Sequence, residues 1–122
     1  MQSITVPPSS TMSTDAQYIY RVDIRDGATL IAPRLVQVVS YVLIGDRARF
    51  IAPKLDEILN RLFLNPESFV IAPRLVCVFE TIDVSVGAML YAPTLTKAFG
   101  GIEVCETGIL YAPLFRQTKK VT

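Results

Sequence analysis

The chain has 122 residues, enough for one domain and too few for a second with its own core. Hydrophobic residues make up 51% of it, so it folds; 12 Lys plus Arg against 11 Asp plus Glu leave a net charge of +1. That balance supplies no long-range field to draw nucleic acid or an anionic membrane, which argues against both as partners.

The chain opens on MQSITVPPSSTMSTDAQ, which has neither the basic start nor the apolar stretch of a signal peptide. Its polarity and the pair Pro7-Pro8 predict a flexible arm over residues 1–17. No apolar run anywhere is long enough to cross a bilayer as a helix. Cys77 and Cys105 make no disulfide framework, so the expected compartment is the reducing cytoplasm.

From about residue 18 to 116 a repeat takes over. Ala-Pro recurs at Ala32-Pro33, Ala52-Pro53, Ala72-Pro73, Ala92-Pro93 and Ala112-Pro113, always at the same interval, with no insertion or deletion. Two residues after each proline stands Leu35, Leu55, Leu75, Leu95 or Phe115. Alternating pairs follow at Val22/Ile24, Val42/Ile44, Leu62/Leu64, Ile82/Val84 and Ile102/Val104. Leu30, Phe50, Val70, Leu90 and Leu110 sit two places ahead of each proline's alanine.

Alternation with period two reads as a half-buried strand, and proline belongs at a strand end or corner. Two extended segments per coil are therefore expected, one at the alternating pair and one ending at Ala-Pro. Ala28, Ala48, Ser68, Ala88 and Gly108 fill the bend between them, where bulk would crowd the interior. The segment after proline is open to two readings. Pro53 to Leu62 alone has the pattern of an amphipathic helix, whereas its counterpart after Arg34 is rich in β-branched residues. The predicted fold is all-β: a short right-handed β-solenoid, leucine-rich-repeat-like, of about five coils. Residues 117–122 are left as a C-terminal tail.

The coil from Tyr91-Ala92-Pro93 through Gly100-Gly101 to Leu110 resembles degenerate leucine-rich-like repeats of bacterial and phage proteins. It is similar more loosely to the L domains of receptor ectodomains. The likeness covers residues 18 to 116 and departs at the Gly-Gly site, where other coils carry Tyr41, Arg61 and Thr81. It implies a solenoid built for binding or assembly, and it transfers no functional residue.

Catalytic chemistry is hard to find. The chain has no histidine, which removes the commonest general base, the usual triads and most zinc sites. Cys77 and Cys105 occupy different coil positions and lack a neighbouring base, so neither a disulfide, a metal pair nor a nucleophile is expected. Gly100-Gly101 carries no phosphate-binding fingerprint and reads as a corner. Asp23, Asp83 and Glu103 share an outward column, but Leu43 and Phe63 interrupt it, so a solvated face is expected rather than an acidic cleft. Arg34, Lys54 and Arg74 form a basic column that could hold a small anion. No enzyme activity, metal or cofactor is expected.

One column stands out. With Leu30 and Ala32 inward, the residue between them points out, which gives Ile31, Ile51, Ile71, Tyr91 and Tyr111, flanked by Phe69 and Met89. An exposed apolar ladder of this length predicts an interface. The expected function is a protein-interaction scaffold that associates with itself, most simply as a dimer. The alternative is a monomeric binder or inhibitor of a host protein, as a phage or bacterial factor.

Overall fold

A computed structural model describes residues 1–115 and the backbone of 118–121. The described residues contain strands and turns and no helix, and the strands stack in coils as a β-solenoid. Strands β1 (Ile4–Val6), β2 (Thr11–Ser13) and β3 (Tyr18–Ile19) make the first coil. β4 (Val22–Ile24), β5 (Thr29–Ile31) and β6 (Gln37–Val38) make the next, then β7 (Val42–Ile44), β8 (Arg49–Ile51) and β9 (Glu57–Ile58). β10 (Leu62–Leu64), β11 (Phe69–Ile71) and β12 (Cys77–Val78) follow, then β13 (Ile82–Val84), β14 (Met89–Tyr91) and β15 (Lys97–Ala98). β16 (Ile102–Cys105), β17 (Ile109–Tyr111) and β18 (Thr118–Val121) end the chain.

Each of the first five coils thus carries three strands, one more than the sequence led us to expect; β16 and β17 follow, and β18 returns to the first sheet. The extra strand is the two-residue piece after proline, which is extended and not helical. Strands of successive coils pair in parallel to form three sheets of seven, six and five strands. The first runs from β1 to β18, the second from β2 to β17 and the third from β3 to β15.

The Ala-Pro-x-Leu motif has a structural reason. In each coil the leucine-column N–H donates to the alanine carbonyl three residues earlier, as in Leu55 to Ala52 at 3.2 Å and Leu75 to Ala72 at 3.1 Å. Proline stands second in this turn, where its fixed φ is already correct. Alanine and leucine at either end both face inward and are fully buried in the middle coils. The inward columns Leu30/Phe50/Val70/Leu90 and Val22/Val42/Leu62/Ile82 complete a continuous apolar core. Ala28, Ala48, Ser68 and Ala88 are buried at the bend, as their size implied, and Ser68 donates its hydroxyl to the Asn65 carbonyl at 2.7 Å.

That bend imposes a left-handed backbone at one column: Ser9 (φ 58°), Gly27 (71°), Arg47 (57°), Glu67 (62°) and Gly87 (68°). A side chain in this conformation costs about 1–2 kcal/mol, and glycine's extra backbone entropy offsets roughly 0.5–1 kcal/mol of the relief. Arg47→Gly and Glu67→Gly are each expected to stabilise the chain by about 0.5–1 kcal/mol. A denaturant midpoint that falls in either variant would contradict this.

Two boundaries differ from the sequence reading. Residues 1–17, read as a flexible arm, include β1 and β2, which pair with β4 and β5. Ile4 and Val6 are buried beneath Val22 and Ile24. The step here, from Ile4 to Val22 and from Thr11 to Thr29, is shorter than the later one from Val22 to Val42. Ala-Pro is also missing, so the columns of the repeat do not line up with this coil. At the other end, Thr118–Val121 of the expected tail is a strand paired with β16. Residues 116, 117 and 122 lie outside the described residues.

Candidate functional site

A solenoid coil turns alternate side chains of each strand inward, and the rest face out. On the second sheet Leu30, Phe50, Val70 and Leu90 take the interior, which forces Ile31, Ile51, Ile71, Tyr91 and Tyr111 outward. Ile31, Tyr91 and Tyr111 are 37%, 40% and 50% exposed, while Ile51 and Ile71 are half-buried by their neighbours. The inward and outward columns are therefore the ones the alternation predicted.

The parallel flanking column on the same face runs Thr29, Arg49, Phe69, Met89 and Ile109. Arg49 carries the single charge among these outward residues. From β11 to β17 both columns are apolar, so Phe69, Ile71, Met89, Tyr91, Ile109 and Tyr111 form one contiguous patch. The rings of Tyr91 and Tyr111 stack with centroids 5.3 Å apart and planes 6° from parallel.

The alternation missed a second apolar column. Val39, Leu59, Phe79 and Phe99 follow the third sheet, with Phe79 and Phe99 42% and 66% exposed and their rings 5.6 Å apart. Its signal was the residue after each inward Val38, Ile58, Val78 and Ala98. Without a third strand in the coil, nothing marked that residue as outward. Beside it, Cys77 is buried in a groove with Asp56, Glu57, Lys97 and Phe99. Burial pushes its thiol pKa up, with Glu57 adding to the effect, so the thiolate is disfavoured. Cys105 lies at the end of β16 in the first sheet, and both thiols are free.

The basic column lies between the second and third sheets. Arg34, Lys54 and Arg74 are all exposed, and Lys54 and Arg74 line a shallow groove with Asp56, Val76 and Thr94. Among the described residues the one ion pair joins Arg25 to Asp23, 3.4 Å apart on the first sheet. Gly100 marks a close approach of two coils: a Cβ there would come within 2.7 Å of the Glu80–Thr81 backbone.

On the first sheet Asp83 and Glu103 are lateral neighbours, while Leu43 and Phe63 separate them from Asp23. Burial raises the Asp83 carboxyl above its ordinary range and Glu103 adds to the rise, against Arg61 and the Thr81 hydroxyl, which donates at 3.5 Å. A carboxyl whose folded pKa exceeds its unfolded one binds more protons in the folded state. Its ionisation costs stability as pH rises through that window, and the cost is complete at neutral pH. Asp83→Asn is expected to raise the thermal midpoint at pH 7 and to give no gain at pH 3. An equal gain at both would place the cause elsewhere.

No family model, curated protein or solved structure matches this chain.

Proposed function

We propose that this protein is a non-enzymatic interaction scaffold that associates with itself through the outward face of its second sheet. The contiguous patch from Phe69 to Tyr111, with its stacked tyrosines, is the observation that carries this reading. Three further features support it. The chain is close to neutral, with a net charge of +1, so two copies do not repel. Arg49 is the face's single charge, and it lies at the edge of the apolar patch rather than in its centre. A regular ladder of like residues is also complementary to itself under a two-fold axis, the commonest symmetry of assembly. The absence of histidine and the disfavoured Cys77 thiolate fit a role without catalysis.

Light scattering on the purified chain tests the proposal. The expected mass is a multiple of the 13.5 kDa monomer. A monomer at tens of micromolar would reject self-association and turn the same face toward a foreign protein, as in a binder or inhibitor.

A further inference from the structure

The three sheets do not end alike. At the C-terminal end of the solenoid, β18 covers the edge of the first sheet. Among the described residues the third sheet ends on β15, two residues long, with the exposed Lys97 as a charged guard. The second ends on β17, whose stretch from Gly108 to Pro113 carries no charge. Its N-terminal edge, β2, is by contrast polar (Thr11, Ser13) and flanked by Pro7-Pro8 and Asp15. Among the described residues nothing seals the core beneath β17: Leu110 is half-buried where Leu30, Phe50, Val70 and Leu90 are sealed, and Val104, Ile109, Leu110, Ala112 and Pro113 line a groove.

The backbone is open in the same place. In each inner coil the Ala-Pro alanine donates its N–H to the next coil, as Ala72 does to Tyr91 and Ala92 to Tyr111, both at 2.9 Å. Likewise the bend residue accepts from the next coil, as Ala88 does from Ile109 at 2.8 Å. Ala112 N–H and the Gly108 carbonyl have no such partner among the described residues. By the alternation of a parallel ladder, Leu110 turns both its N–H and its carbonyl to the same empty side.

We propose that a second copy of the chain pairs there, β17 against β17 in antiparallel sense, about a two-fold axis at Leu110. This register uses every open group. The two Leu110 residues exchange both of their hydrogen bonds, and each Ala112 N–H donates to the partner's Gly108 carbonyl. Leu110 meets Leu110 and closes the core, while Ile109 lies opposite Tyr111 of the other copy on the outer face. Stacking β17 on the polar β2 of another copy would instead set Ile109 and Tyr111 against Thr11 and Ser13. This contact is separate from the face-to-face association proposed above.

Proline at 110 removes an N–H that the coil itself does not use, as edge strands allow. Leu110→Pro is expected to halve the assembled mass of the full chain, while Leu110→Ala, which keeps the N–H, does not. A cross-linking arm fixes the register, in chains with Cys77 and Cys105 replaced by serine. Ile109→Cys mixed with Tyr111→Cys should form a disulfide-linked dimer under oxidation, since non-hydrogen-bonded pairs lie about 4.5 Å apart. Each variant alone should cross-link far less, because its own copies sit diagonally. A mass unmoved by Leu110→Pro, or cross-linking no stronger in the mixture than in the single variants, would overturn edge pairing. The face-to-face reading stands or falls on separate charge substitutions at Ile71 and Tyr91.

Discussion

Phe50→Ala is expected to lower the stability of the chain by about 3–5 kcal/mol, the range for removing a buried phenylalanine. Phe50 is fully buried and sits between Leu30 and Val70 in the ladder. Those neighbours are tied to it by parallel pairing on both sides, so the backbone cannot collapse into the space left behind. Coils of a solenoid are stabilised mainly by their nearest neighbours, and a void in an inner coil weakens two interfaces together. Domains of this size are stable by about 5–15 kcal/mol, so the variant would approach the limit of folding. Urea denaturation followed by circular dichroism measures this, with the midpoint falling and the slope retained. Leu110→Ala, at the open end, should cost far less. A loss below about 1 kcal/mol at Phe50 would mean that the interior repacks, contrary to the rigidity described.

The second large effect is on assembly. The double substitution Ile71→Asp and Tyr91→Asp places charge in the centre of the apolar face, and a two-fold dimer carries each change twice. A charge left unpaired and dry in an interface costs about 3–5 kcal/mol, and each ~1.4 kcal/mol is tenfold in Kd. Self-association through that face is expected to weaken by a hundredfold or more. Ile71 and Tyr91 are ladder neighbours, so the two carboxylates also repel each other within one chain. That repulsion is roughly 0.2–1 kcal/mol and leaves the fold in place. Light scattering should show the loss of mass, and circular dichroism should show an unchanged β spectrum. A folded variant with wild-type mass would reject the face as the contact.

The repeat made most of the solenoid legible. Ala-Pro-x-Leu, once per coil, is a turn whose proline, small residue and leucine each have a fixed physical job, and the alternating pairs name an inward face. Phe69 to Tyr111 could be placed outside because a strand turns every second side chain away from the core. The first coil was hidden for a specific reason. Ile4, Val6, Met12 and Ile19 are its inward residues, but its shorter step and missing Ala-Pro break the column alignment. Only pairing with β4 and β5 shows that a polar stretch holding Pro7-Pro8 is part of the stack.

By itself, then, the sequence determined the coil length, the β character, the inward columns and the apolar outward ladder. These follow from local chemistry, namely proline's fixed φ, period-two alternation and the size of the bend residues. The tertiary structure decided what depends on neighbours. It turned the segment after each proline into a third strand, because Val38, Ile58 and Val78 gain ladder partners above and below. It brought Phe79 against Phe99 and Asp83 beside Glu103, pairs a full coil apart along the chain that meet only through stacking. It also showed that β17, an uncharged strand, has its outer side unpaired among the described residues, which only the stacking of coils reveals.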